Sequence, residues 1–260
     1  MSQEQNKKVD EYLKHGLTLA ANAMSTIAGF AAGDQTGLIA TVGGGVLAPL
    51  ATEMADRLLS RKEKTRTSEV IIMAAILLKE AKESGREIRD DALFRDALPQ
   101  SAEGEELLEG ILLVAQREHQ EKKLKFLAHL LKCIALDREI DIDLGNYLIS
   151  LAERLSYRQF CILELIERKD QYGLRTGDYE GHIFDNRTQA LIGELMDLFS
   201  YGLVVMKDNP SDMDEAIAGD AASIVPSELY LGRLGILLSN ALNLADIRRT
   251  DTDRVAEMLK

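Results

Sequence analysis

The sequence predicts a mostly α-helical fold: a helical bundle, preceded by a Gly/Ala-rich N-terminal helical hairpin and followed by a C-terminal winged-helix-like α+β unit. Three observations lead to this fold class. Four prolines among 260 residues leave long stretches in which helices can run unbroken. An apolar fraction of 46% is enough to build ordinary cores. The composition changes twice along the chain, which separates residues 1–52, 53–154 and 155–260.

Small side chains dominate the first part of the chain. Residues 16–52 carry one charged side chain, Asp34, and consist mostly of Gly, Ala, Ser and Thr. A small residue recurs at every fourth position, at Ala21, Ser25, Gly29, Gly33, Gly37, Thr41 and Gly45. On a helix this spacing forms one face that drifts slowly around the axis, because four exceeds 3.6 residues per turn. Such faces let helix backbones approach closely, so the segment predicts self-association or a membrane face.

Two physical accounts of residues 16–52 stay open. In the first, they form a hairpin that enters a bilayer with Asp34 near its tip. The two uncharged runs, 16–33 and 35–52, only just approach the roughly 20 apolar residues that a membrane span needs. In the second, the same face packs against the bundle or against a second subunit. We favour packing or self-association, because about a third of the segment is large and apolar.

The middle part, residues 53–154, is dense in charge and helical in period. Thr67 or Ser68 can cap a helix over residues 69–83, and Gly85 ends it. The apolar side chains of this helix nearly encircle it. We therefore expect it to lie at the centre of the bundle.

Further helical patterns complete the middle part. One covers residues 107–136 and is interrupted by the polar run at 117–123. This run is either a solvated midsection or a break between two helices. Another helix is predicted over residues 144–155, after an acidic connector.

The last part, residues 155–260, mixes helices with short β-branched runs. Ser156 and Gln159 have the spacing of a capping box, which begins a helix. The elements that follow are a helix from Thr188 to Gly202, a strand over 203–206, an acidic stretch over 207–220 and a returning strand over 228–231. This order of helices and strands is typical of a winged-helix unit.

Four stretches carry a family resemblance. The helical runs 107–137 and 148–166 are followed by LVVM at 203–206 and LYLGRLGILL at 229–238. Together they resemble the Abi-alpha family of bacterial proteins linked to abortive infection. The resemblance implies a Gly/Ala-rich N-terminal segment, a helical middle and a C-terminal unit ending near an L-T-x-x-G phrase, whose Thr is absent here. It also implies an antiviral defence context, and it transfers no catalytic residue.

The sequence predicts no catalytic residue, no cofactor and no metal site. Cys133 and Cys161 lie in apolar runs, as expected for reduced core thiols in a cytosolic protein. His129 and Cys133 share a helix face, but no third ligand accompanies them. The carboxylates at 137–143 lack the EF-hand spacing, so we interpret them as a solvated connector. No P-loop, G-x-S-x-G motif or strand-linked G-x-G-x-x-G motif occurs.

The charge distribution argues against nucleic acid as a partner. The net charge is −12, and residues 155–260 hold 18 acidic against 11 basic side chains. A unit that reads DNA needs positive charge on its second helix and on its wing. Here Arg187 and Lys207 are outnumbered by nearby carboxylates, so the unit suits protein contacts better.

We therefore expect a non-enzymatic bacterial interaction or switch protein, with a protein partner or a second copy of itself. We expect it in the cytoplasm, in contact with a membrane if the hairpin inserts, and we expect the chain to begin at Met1 without a leader. Two alternatives stay open. One is a winged-helix transcriptional regulator whose DNA contacts would include Arg187 and Arg233. The other is a soluble scaffold whose N-terminus is purely structural.

Overall fold

The computed structural model of the protein describes residues 61–89, 103–206 and 221–260. It confirms the predicted mostly helical fold, since these residues form eight α-helices and one two-stranded sheet. They divide into two compact units between Glu153 and Arg154. The helices of the first unit are α1 (Arg61–Glu83), α2 (Glu103–Arg117), α3 (Leu124–Leu136) and α4 (Ile142–Arg154). The second unit contains α5 (Tyr157–Glu167), α6 (Asn186–Ser200), β1 (Val204–Met206), β2 (Leu229–Leu231), α7 (Arg233–Leu242) and α8 (Arg249–Ala256).

Helix α1 is longer than predicted, because it begins at Arg61 rather than at residue 69. Thr67, a predicted cap together with Ser68, lies inside the helix. Its hydroxyl donates to the Glu63 carbonyl at 3.0 Å, the backward bond that a threonine makes within a helix. The predicted end is confirmed, since Gly85 follows the helix with a φ of +84°.

Helix α1 contacts both α2 and α3, as the predicted central helix would, but it is not buried all round. The helix packs against α2 and α3 along a single stripe. The buried members of this stripe are Thr67, Val70, Ala74 and Ala81. On the other side of the helix, Ile76 is 51% exposed. A nearly continuous apolar composition thus does not ensure that every apolar side chain of a helix is buried.

The predicted helical stretch 107–136 is two helices, α2 and α3, and residues 118–123 break it. Of the two interpretations of the polar run, the break is therefore correct. Helix α4 packs closely on α2 where Gly145 faces Leu107. A Cβ on Gly145 would lie 2.8 Å from the Leu107 side chain, and Asn146 Nδ2 donates to Glu106 Oε1 at 2.8 Å.

Helix α5 forms the core of the second unit, because every residue from Gln159 to Ile166 is buried. It contacts α6, α7, α8 and β2. The predicted capping box is confirmed at its start. Ser156 Oγ accepts from the Gln159 amide at 3.1 Å, and the Ser156 amide donates to Gln159 Oε1 at 2.8 Å.

The remaining elements of the second unit follow the predicted order. Helix α6 begins at Asn186, earlier than the predicted Thr188, because Asp185 is its cap and accepts from the Thr188 amide at 2.7 Å. Both predicted strands form and pair antiparallel, with Val205 opposite Tyr230. The acidic stretch 207–220 lies outside the described residues.

Two glycines allow the backbone after α6 to meet the start of α7. The Gly232 amide donates to the Leu203 carbonyl at 2.9 Å. A Cβ on Gly235 would overlap the carbonyl oxygen of Leu203, and a Cβ on Gly232 would overlap that of Gly202. Since the obstacles are backbone atoms, no rotamer change can relieve them.

Replacing Gly235 with alanine should therefore destabilise the protein by about 2–3 kcal/mol, the range expected for overpacking against a fixed backbone. Gly193→Ala is the matched control, because its Cβ would meet nothing within 4 Å on the exposed side of α6. This control should stabilise the protein by about 0.5–1 kcal/mol. Urea unfolding measures both values, and equal effects of the two variants would disprove the close approach.

Candidate functional site

The structure places only some of the residues that the sequence singled out. The small-residue face from Ala21 to Gly45 lies outside the described residues. Within the described ranges, no helix is both long and apolar enough to cross a membrane. Arg187 and Arg233 are exposed in the first turns of α6 and α7.

The predicted His129–Cys133 pair lies on α3, with His129 buried and Cys133 half-buried. Burial raises the pKa of the Cys133 thiol, and the nearby Asp137 carboxylate adds to this effect. A thiol with a raised pKa is a poor nucleophile and a poor metal ligand at neutral pH. Among the described residues, no group of three His, Cys, Asp or Glu side chains is arranged to hold a metal ion.

The carboxylates of the 137–143 connector bind backbone amides. Asp137 Oδ1 accepts from the Glu139 amide at 3.0 Å. Asp141 Oδ1 accepts from the Leu144 amide at 2.8 Å, at the start of α4. These two side chains therefore shape the turn between α3 and α4.

Arg89 is a buried residue that the sequence did not single out. It is 6% exposed, and its Nη1 donates to the carbonyls of Asp137 at 2.7 Å and Ile140 at 2.6 Å. A guanidinium at the C-terminal end of a helix satisfies free carbonyls and complements the helix dipole. Arg89 thus ties the end of α3 to the connector that follows it, and no pattern in the sequence marks this burial.

An ion pair is buried at the break between α2 and α3. Lys123 Nζ lies 2.5 Å from Glu118 Oε2, and the two side chains are 2% and 5% exposed. Lys123 Nζ also donates to the Glu153 carbonyl at 3.2 Å, and Glu118 Oε1 accepts from the Gln120 amide at 2.7 Å. The charges are therefore both paired and hydrogen-bonded, as buried charges must be. The sequence shows this run only as polar, so it suggested solvent rather than burial.

A buried carboxylate lies on α5 in the second unit. The Glu164 side chain is 2% exposed, and Arg168 Nε lies 2.6 Å from its Oε1. This approach forms no hydrogen bond, and neither carboxylate oxygen has a hydrogen-bond partner among the described residues. Burial raises the pKa of Glu164 to about 7, although the Arg168 charge opposes the shift.

A shallow cleft of about 320 Å³ lies along the first half of α1. Its lining is charged: Lys62, Thr65, Arg66, Glu69 and Glu121. Burial and the Glu121 carboxylate raise the pKa of Glu69. Arg66 Nη1 donates to the Gln116 carbonyl at 3.3 Å. The carboxylates of Glu69 and Glu121, beside the cations of Lys62 and Arg66, can take part in a protein contact. The described lining of the cleft contains no nucleophile next to a general base.

Tyr157 and Asp251 join α5 to α8. The Tyr157 hydroxyl donates to Asp251 Oδ2 at 2.9 Å, and Arg248 Nη2 lies 3.3 Å from the same oxygen. Burial and the neighbouring acidic groups raise the pKa of Tyr157 well above its ordinary value. The tyrosine therefore stays protonated and acts as a hydrogen-bond donor between α5 and α8.

The chain matches no protein-family model, no curated protein and no solved structure. A function for it must therefore follow from its own residues and their arrangement.

Removing one partner of the buried ion pair should strongly destabilise the first unit. Lys123→Met leaves the Glu118 carboxylate buried without its cation and should cost about 3–5 kcal/mol. The double variant Glu118→Gln, Lys123→Met should recover most of this loss, because no charge then remains buried. Arg117→Met is the control, since its ion pair with Glu153 is exposed and is worth at most about 1 kcal/mol. Urea unfolding of the wild-type chain and these three variants measures whether their free energies of unfolding follow this order.

Stability should depend on the ionisation of Glu164. Its pKa is 4.5 in the unfolded chain and about 7 in the fold, so the folded state binds the proton more tightly. The free energy of unfolding should therefore fall as the pH rises from about 4.5 to about 7, and this contribution should be constant outside that window. Glu164→Gln should remove the slope. Glu167→Gln, at the exposed neighbour of Glu164, should keep the pH dependence of the free energy of unfolding. If Glu164→Gln shows the same pH dependence as the wild-type chain, Glu164 is not its cause.

Proposed function

We propose that the protein is a non-enzymatic interaction or switch protein, and that residues 16–52 mediate its self-association or its contact with a membrane. The observation that carries the proposal is the composition of this segment, in which one charge, Asp34, interrupts two uncharged runs. A run of this kind is costly to expose to water, so it needs a covering partner.

The chemistry of the described residues supports an interaction role. Several titratable groups join structural elements: Lys123 pairs with Glu118, and Tyr157 donates to Asp251. The described part of the chain offers no metal cluster, and both cysteines are free thiols. Surfaces are thus better candidates for function than a reaction site.

We propose further that residues 155–260 form a winged-helix-like unit used for protein contacts. The order α5, α6, β1, β2, α7 supports this proposal, because a winged helix places two helices before its strand pair. The acidic balance of the unit favours a protein over DNA. The Abi-alpha resemblance suggests a bacterial defence setting, in which a sensed partner would release the N-terminal segment.

Two kinds of variant test the role of residues 16–52. Deletion of residues 1–60 stops just before α1, and in the full chain Gly29→Leu with Gly33→Leu fills the small-residue face. We expect both to reduce oligomer size and toxicity to the host cell, because bulky side chains hold helix backbones apart. Ala28→Leu with Ala32→Leu is the matched control off that face. Light scattering, viability and membrane fractionation are the measurements.

The outcomes separate the alternatives. Release of dye from anionic vesicles by the full chain, lost in the deletion, assigns the segment to a membrane. A smaller oligomer without vesicle leakage assigns it to self-association. If deletion changes neither oligomer size, toxicity nor fractionation, the segment is only structural and the proposal fails.

A further inference from the structure

We propose that the outward side of α1 is a dimerisation surface, on which α1 of a second copy of the chain docks antiparallel. The proposal goes beyond the role of residues 16–52 and depends only on described residues.

The outward side of α1 has the spacing of a coiled-coil seam. Its positions alternate in steps of four and three residues: Thr65, Glu69, Ile72, Ile76, Lys79 and Glu83. Steps of this kind keep one stripe facing a partner helix along its whole length. Successive residues of a helix are 100° apart, so Ile76, two positions after Ala74, lies on the opposite side of the helix. The outward stripe is therefore opposite the buried stripe that contains Ala74.

This stripe is uncovered in the described chain. Ile76 is 51% exposed and Ile72 is half-buried, so the centre of the seam is apolar and accessible. Lys79 and Glu83 lie at its end with side chains 54% and 66% exposed. An apolar centre with a charged rim is the usual anatomy of a protein–protein contact.

The charges of Glu69 and Lys79 determine the orientation of the partner helix. In an antiparallel pair with its two-fold axis level with Ala74, Ile72 lies level with Ile76 of the second copy. Glu69 then lies level with the second copy's Lys79, which places opposite charges together on both sides of the apolar centre. A parallel pair would place Glu69 beside Glu69 and Lys79 beside Lys79. Like-charge layers are unfavourable, so the antiparallel pair is selected.

Among the described residues, Glu69 has no cation at bonding distance, although Lys62 and Arg66 line the same cleft. Its carboxylate faces Glu121, and within the described residues it forms no ion pair and no hydrogen bond. Lys79 is only weakly engaged, because its Nζ lies 3.9 Å from Glu83 in the less favourable order along a helix. In the proposed pair, Glu69 of each copy and Lys79 of the other become partners.

A second copy fits this surface better than residues 16–52 of the same chain do. Residues 16–52 contain no basic side chain, and their one carboxylate is Asp34. They therefore cannot place a cation on Glu69. The same α1 in a second copy provides both the cation and the anion, as the self-complementary surface of a two-fold dimer must.

A charge-swap series in the full chain tests the proposal by sedimentation equilibrium. Glu69→Lys and Lys79→Glu each put like charges in both outer layers, and each should weaken dimerisation at least about tenfold. The double variant Glu69→Lys, Lys79→Glu restores opposite charges and should return the dissociation constant to within about threefold of the wild-type value. The two single variants, mixed in equal amounts, should associate with one another.

Two further variants serve as controls for surface apolarity. Ile76→Asp should abolish this dimer, whereas Ile183→Asp, at a side chain 100% exposed in the second unit, should leave it unchanged. Circular dichroism checks that each variant stays folded. The proposal is overturned if both single variants associate as the wild-type chain does. It is also overturned if the double variant dimerises no more tightly than the single variants. Any self-association would then be due to residues 16–52. Failure of the N-terminal variants would leave this dimer unaffected, so the two proposals fail separately.

Discussion

The buried ion pair between Glu118 and Lys123 is the interaction on which the first unit depends. No Gly or Pro occurs from Arg117 to Lys123, so local propensity alone would allow one helix through α2 and α3. The chain leaves the helix there and turns. The turn brings the Lys123 ammonium to both the Glu118 carboxylate and the Glu153 carbonyl. Two buried charges are tolerated because each is paired and hydrogen-bonded.

This turn also decides which side of α1 is covered. Because α2 and α3 both pack on the same side of α1, the stripe around Ala74 is buried and the stripe around Ile76 stays exposed. A helix that is apolar almost all round thereby leaves Ile76 exposed. In the second unit the corresponding constraint is the backbone contact between Gly235 and Leu203, which fixes α7 against the end of α6.

Some polar and charged groups of the described chain are neutralised by a partner, and others are not. Within the described chain, buried polar groups are mostly satisfied internally, as the Tyr157–Asp251 contact illustrates. On α1, the Glu69 carboxylate faces the Glu121 carboxylate and forms no ion pair among the described residues. Together with the uncharged residues 16–52, this pattern favours a protein whose work is association. The seven small residues from Ala21 to Gly45 remain its sequence-based candidate surface.

The sequence by itself determined the helical class, the Ser156 capping box, the helix end at Gly85 and the two short strands. These features arise from contacts between residues close in the chain, so local patterns report them. Only the tertiary structure decided that Ile76 on α1 is exposed, that Glu118 and Lys123 are buried, and that Arg89 binds the end of α3. Burial depends on which distant segments cover a side chain, and a polar run has the same composition whether it faces water or a buried partner.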